Sequence, residues 1–396
     1  MKNKYIILIL AILFIVIIIK YIFTLYSAAS SCDGWIVGDW LINYQEGFVR
    51  RGLSGSIMIG LSNLLGIKAN FIVMWFQIII FTAYMLIIFL LFYCKKINMW
   101  FVLLLLSPVT LFFPILSFPA AGRKEIILFF LFSFFVFLLQ KKLLKSYISV
   151  VLFSLLLLVA TLCHELIVFY LPYFLFAIFL KSRIDKESFP FIKSLIVISG
   201  SVLIMIPIYL YGYQINTTSI CAGLKEIGLS DNVCSGILSI PSYGLEDVVK
   251  TIKNFNYFFN YSIALALGLI PFILFVYYSR SKVLTVKILT AIFMLLFIFS
   301  LPIFIFATDW GRWLNIHFLL LLITLTLLLK DNDNVRKKWL NENVVIPKIW
   351  KTNIVLLNYV NDVVFVLIFI AYITLWSMQH WGPFPIFSLN FYNVVF

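Results

Sequence analysis

The sequence predicts an all-α, polytopic integral membrane protein, a helical bundle of about eleven transmembrane helices, and three observations predict it. First, 63% of the residues are hydrophobic and only 12% are charged, with a mean hydropathy of +1.09, far outside the soluble globular range. Second, the apolar runs are long and do not alternate. They suit helices that satisfy their own backbone hydrogen bonds in lipid better than the weakly patterned strands of a barrel. Third, the basic residues behind the net charge of +14 are spread over short loops between apolar spans, where they act as topology signals. That distribution argues against a nucleic-acid partner and leaves no room for a soluble domain of ordinary size.

The elements follow in order, with positions 1–396 read as one integral membrane domain. Lys2 and Lys4 precede a first helix over Tyr5 to Leu25 that is longer than a signal-peptide core and lacks a small-residue cleavage site, so it is retained with the N-terminus inside. Lys20 either snorkels to the interface or faces the bundle. An outer loop over 27–69 contains GLSGSIMIGLSNLLGI, too short to span and read as an interfacial or re-entrant helix. The second span is Phe71 to Tyr93, ending at Lys95 and Lys96. The third, Trp100 to Phe118, carries Pro108 and Pro114 and precedes Pro119, which predicts kinking or unwinding near its outer end. An outer turn then presents Arg123, Lys124 and Glu125, and the fourth span, Ile126 to Gln140, returns to Lys141, Lys142 and Lys145.

Tyr147 to Cys163 and Leu166 to Leu180 form a fifth and sixth span joined by an outer turn at His164 and Glu165. Leu195 to Tyr211 leads into a long outer loop, 212–257, in which Cys221 and Cys234 could close a disulfide in an oxidising compartment. Tyr261 to Tyr278, Leu289 to Ala307 and Leu314 to Leu329 follow, the last two separated by DWGRW. A cytoplasmic loop over 330–353, an eleventh span over Ile354 to Trp376 and an outer tail over 377–396 complete the chain. Most of the 30 Lys and Arg residues fall inside in this layout, as the positive-inside rule requires.

Charge is scarce, so its placement is informative. Asp33, Asp39, Glu46, Arg50 and Arg51 come from the first outer loop, Arg123 and Glu125 from the second, His164 and Glu165 from the third, and Asp309 and Arg312 from DWGRW. A bundle around a cleft would bring them together at its outer mouth, and ionisable groups near membrane depth are functional candidates by default. A carboxylate or histidine can take a proton from an acceptor hydroxyl, and arginine forks can hold a diphosphate as charge builds on it. Bland readings stand beside these: lipid headgroup contacts for Arg50 and Arg51, a local ion pair for Asp309 and Arg312, polar turns at His164 and at Arg123 with Glu125. His317 reads as a packed histidine and His380 as part of an interfacial aromatic belt. No nucleotide-binding loop occurs, and the five cysteines show no metal-ligand spacing, so no metal or other cofactor is expected.

A first helix followed by an acidic outer loop and an interfacial helix resembles the start of GT-C membrane glycosyltransferases, which implies Asp39 or Asp33 as base. NYQEGFVRRGLSG, with GRKE and DWGRW, resembles the O-antigen and capsule polymerases of the Wzy type. An Arg followed by Gly eleven residues later, found in some of those polymerases, does not occur at Arg50, Arg51, Arg123 or Arg312. The resemblance implies a bacterial plasma-membrane enzyme that joins undecaprenyl-diphosphate-linked repeat units at the outer face. Its implied partners are those lipid-linked glycans, membrane lipids, and a chain-length regulator and flippase of the same pathway. In that scheme Glu46 or Asp39 is the base with His164 in reserve, and Arg50, Arg51 and Arg123 hold the diphosphate. Asp309 and Arg312 orient the acceptor or the arginines, and Glu125 joins the substrate-binding set. The alternatives are a GT-C transferase using a polyprenyl phosphate sugar, a flippase for lipid-linked oligosaccharide, and a membrane acyltransferase.

Overall fold

Unbroken apolar sequence makes long helices wherever no proline or polar cluster interrupts it, and the computed structural model follows that rule. It describes residues 2–212, 216–239, 244–279, 281–331, 367–382 and 386–387. Among these, α1 (Lys2–Ser30), α2 (Gly52–Leu65), α3 (Ala69–Tyr93), α4 (Met99–Leu106), α5 (Phe113–Leu116), α6 (Glu125–Gln140) and α7 (Tyr147–Cys163) come first. They are followed by α8 (Leu171–Asp185), α9 (Phe191–Tyr211), α10 (Thr217–Glu226), α11 (Leu245–Asn254), α12 (Tyr257–Ser279), α13 (Val286–Phe306) and α14 (Trp310–Leu325). Extended pairing among the described residues is limited to isolated bridges, Lys95 with Asp331 and Trp376 with Phe387.

Seven of these helices are long and apolar enough to cross a membrane: α1, α3, α8 with the 3-10 turn before it, α9, α12, α13 and α14. The chain is a multi-pass helical membrane protein. The other apolar helices of ten residues or more, α2, α6 and α7, are shorter. The 16 and 17 residues of α6 and α7 give them lengths of roughly 24 to 26 Å. Starts are set locally where a side chain accepts a first-turn N–H: Asn98 from Phe101 at 2.9 Å, Ser146 from Ser149 at 3.1 Å and Thr285 from Ile288 at 3.4 Å.

The continuous third span expected over residues 100–118 does not form. Helix α4 stops at Leu106, before Pro108, because a proline ring removes one ladder hydrogen bond and collides with the preceding turn. The chain then bends through residues 107–112 into the single turn of α5. Backbone freed at such a break must be satisfied by protein. Thr110 Oγ1 donates to the Leu104 carbonyl at 2.7 Å, and Asn315 Nδ2 on α14 donates to the Val109 and Thr110 carbonyls at 2.8 and 3.0 Å.

Helix α14 is the axis of the bundle, almost wholly buried and packed by α6, α8, α12 and α13, while α1–α3–α6 and α7–α9 form further packed sets. Apolar burial does not drive helices together in lipid, so polar ties matter more. One is His317 on α14, whose Nδ1 lies 2.8 Å from the Tyr173 hydroxyl of α8 and whose Nε2 lies 2.6 Å from Ser300 Oγ of α13. The packed histidine expected from sequence is this one. Basic residues gather at the bundle end opposite the first long loop, where Lys142 and Lys181 meet Asp185 at 3.2 and 2.6 Å and Lys193 Nζ donates to the Lys145 carbonyl.

At the other end, Cys221 and Cys234 form a disulfide. The segment it closes sits on the first loop, with Asn232 Nδ2 donating to the Ser31 carbonyl at 2.8 Å. Of the expected loop 330–353, only its first two positions belong to the described residues. Positions 354–366 of the eleventh span and the tail at 383–385 and 388–396 also lie outside them.

Candidate functional site

Gly122 fixes the turn that carries Arg123, Lys124 and Glu125. Its φ of +67° is a left-handed conformation that glycine adopts freely, and an added Cβ would run into the side chains of Ile36 and Leu25. Its N–H donates to the Tyr21 hydroxyl at 2.8 Å, and its carbonyl accepts from Trp40 Nε1 and Gln77 Nε2, both at 2.7 Å. Gln77 also reaches the Ile36 carbonyl at 2.8 Å. Helices α1 and α3 and the first loop are thereby tied to the turn that starts α6.

Around this turn the ionic groups form two connected halves. In the first, Arg51 grips Glu165 with Nε at 2.8 and 2.9 Å and Nη2 at 2.8 Å, while its Nη1 lies 3.5 Å from Asp39. Arg51 holds a φ of +65°, an uncommon conformation for a residue with a Cβ, at the junction that opens α2. Lys124, fully buried, stands 3.9 Å from Asp39 and donates to the Arg51 carbonyl at 3.2 Å, and Arg50 reaches Glu165 at 4.0 Å. Burial alone would raise the Asp39 carboxyl, but Lys124, Arg51 and Arg123 outweigh it and hold it down at about 2. Asp39 is therefore a locked anion.

The second half is less complete. Arg312 Nη2 lies 3.1 Å from Glu125 Oε1 and 3.1 Å from Asp309 Oδ2, and His164 Nε2 lies 3.6 Å from the same Glu125 oxygen. Arg123, only 6% exposed, stacks 5.3 Å over the Trp35 ring and reaches the Trp35 carbonyl at 3.3 Å, but meets no carboxylate within 4.0 Å among the described residues. Burial, and then the neighbouring Arg312 guanidinium, both disfavour its charge. Buried atoms without a hydrogen-bond partner concentrate here: Arg123 Nε, Arg312 Nε and Nη1, Glu125 Oε1 and both nitrogens of His164. Burial holds His164 below its ordinary value despite Glu125, so it is neutral at pH 7. A cavity of about 20 Å³ lies between Arg123, Glu125, Arg312 and Asn315, room for about one water.

The structure thus brings together Asp39, Arg50, Arg51, Arg123, Glu125, His164, Asp309 and Arg312, drawn from four separate stretches. Glu46 is not among them. It lies exposed next to Gly47, φ +105°, and is in none of the ion pairs among the described residues. Asp33 closes a local turn instead, accepting from Trp35 and Ile36 N–H at 2.8 and 2.7 Å. Two participants go beyond the sequence reading. Lys124 sits between Arg123 and Glu125, a position that was the available signal. His380, expected at the interface, is buried: its Nδ1 lies 3.1 Å from Ser117 Oγ and its carbonyl accepts from Gly311 N–H at 3.1 Å, strapping the chain over the start of α14. Among the described residues no three His, Cys, Asp or Glu side chains converge to hold a metal ion.

These observations define a multi-pass helical membrane protein with a buried, incompletely paired ionic cluster at one end of its bundle. Comparison with known protein families, curated proteins and solved structures finds no match to this chain.

Exposed side chains away from a site cost little when changed, usually within about 0.5 kcal/mol. Glu46→Gln is therefore expected to leave stability within about 0.5 kcal/mol of the parent. A larger loss, measured by thermal unfolding of the purified protein in detergent, would give Glu46 a structural partner.

Proposed function

We propose that this chain transfers glycosyl groups between lipid-linked sugars, joining polyprenyl-diphosphate-linked repeat units at the outer face of a bacterial plasma membrane. One observation carries the reading: Arg123 is a buried cation without a carboxylate partner among the described residues, beside an Arg312 whose Nε and Nη1 are also unsatisfied. Two forks of this kind suit a diphosphate better than a neutral ligand. The proposed topology keeps about eleven crossings, with α6 and α7 counted among them and the basic end of the bundle inside.

In this mechanism the bond between the donor sugar and its diphosphate breaks as the acceptor hydroxyl attacks the anomeric carbon. His164, neutral and with both nitrogens unsatisfied, takes the hydroxyl proton, and Glu125 steadies the imidazolium. Arg123 and Arg312 receive the charge released onto the diphosphate. Asp39, held at about 2, is too weak a base for this step at neutral pH and serves to anchor Lys124 and Arg51. The cavity is far smaller than a sugar, so its walls must part for entry. A GT-C-type transfer from a polyprenyl phosphate sugar is the second reading, suggested by the order of first helix, acidic loop and short helix α2.

Deletion of the gene followed by gel analysis of surface polysaccharide tests the proposal. A single repeat unit on the anchor supports a polymerase, complete loss supports the second reading, and an unchanged ladder defeats both. The pH profile tests the base. A neutral histidine works until it is protonated, so transfer should hold from neutral pH to below about 6.5, the ordinary histidine value, and fall as acid protonates His164. His164→Gln should lower the rate by about 10²–10⁴ and remove that acid limb. An acid limb retained in His164→Gln would move the base elsewhere.

A further inference from the structure

A second cavity lies on the other side of α14. It measures about 430 Å³ and is walled by Ser262 of α12, Leu301 and Ile305 of α13, and Trp310 and Leu314 of α14, with Lys253 of α11 at its rim. We propose that this groove seats the isoprenoid tail of the lipid-linked substrate while the phosphate head reaches Arg312. The inference rests on the glycosyl-transfer reading and adds the route by which the substrate enters.

Four observations carry it. The volume is that of a typical small-molecule site, unlike the water-sized cavity beside Arg123. The outward faces of the helices that frame the opening are apolar and exposed, including Phe258, Ile298, Phe299 and Ile305, so hydrocarbon is what meets it at that depth. Trp310 and Leu314, four residues apart, share one face of α14, whereas Arg312 points about 200° round the same turn to the ionic cluster. Tail and head therefore fall on opposite sides of the first turns of α14, whose N-terminal Asp309 pairs with Arg312. Charge is complementary as well. Lys253, exposed on an amphipathic helix that buries Val248 and Ile252 against the bundle, is the charged side chain among the described lining residues and suits the phosphate as it passes the groove on the way to Arg312.

Binding of a radiolabelled C55 polyprenyl phosphate to the full-length protein in phosphatidylcholine nanodiscs tests this. Saturable binding that weakens at least tenfold in Leu301→Trp and in Ser262→Trp, each eluting as a single species, supports the groove. So does photo-crosslinking from a tail-borne diazirine on the parent protein, with adducts on α12 or α13 near Ser262 and Leu301. Saturable binding that both tryptophan variants leave unchanged, or adducts confined to other helices, overturns the groove while the lipid-linked reading stands. No saturable binding by the parent overturns both. Equal competition by phosphatidylglycerol would make the groove an ordinary lipid contact and overturn the assignment.

Discussion

Arg123→Met is expected to abolish polymer formation while leaving the protein as stable as the parent or more so. A buried guanidinium with no carboxylate beside it carries a desolvation penalty of several kcal/mol in the folded state. In this chain burial and Arg312 press in the same direction. Methionine fills much of the same volume without the charge, so that penalty disappears. On the glycosyl-transfer proposal, what disappears with it is a cation for the leaving diphosphate, and removing one such donor typically costs about 10²–10³ in rate. The two readouts are the polysaccharide ladder and the thermal midpoint of purified protein in detergent. A midpoint several degrees lower, with activity falling only in proportion to folded protein, would make Arg123 a structural residue holding Trp35.

Arg51→Ala is expected to fail in the opposite way, through stability. Arg51 spends its fork on Glu165 and its remaining edge on Asp39. Removing it takes the close partner from Glu165, leaving Arg50 at 4.0 Å, and one of two cations from Asp39, and breaking a buried pair costs about 3–5 kcal/mol. The lower end applies because the Arg51 and Glu165 side chains retain 17% and 14% of their exposure. Polymer is lost with the fold. The sequence reading gave Arg51 the donor diphosphate, but a guanidinium already engaged on two carboxylates has little left to offer one. Arg51→Met combined with Glu165→Leu should recover most of the lost stability, since it removes both charges together. A midpoint unchanged within about 1 °C in Arg51→Ala would show the pair to be worth no more than an exposed one.

Much of the candidate site was legible because the chain is so poor in charge. Where apolar residues fill the lipid-facing and core positions alike, each acid or base at a span end stands out, and Asp39, Arg51, Arg123, Glu125, His164, Asp309 and Arg312 were all visible in that way. What could not be read was the pairing. Glu46 and Asp39 sit seven residues apart in one loop and look equivalent, yet one is exposed while the other is buried beside Lys124 and Arg51. Lys124 was seen in its turn but given no role for the same reason, since a turn residue's surroundings depend on hydrogen bonds such as those at Gly122 that arrive from three remote elements.

The sequence by itself determined that this is a helical membrane protein, because composition and run length decide how backbone groups are satisfied in lipid. It also marked the third span as one that proline would disturb, although the break falls at residues 107–112, in the middle of that span and not near its outer end. Only the tertiary structure decided which cations are spent on carboxylates and which remain available, and that His380 returns to cover the start of α14. The physical reason is one of range. Hydropathy and proline act within a single helix, whereas ion pairing depends on distances between turns that are far apart in the chain.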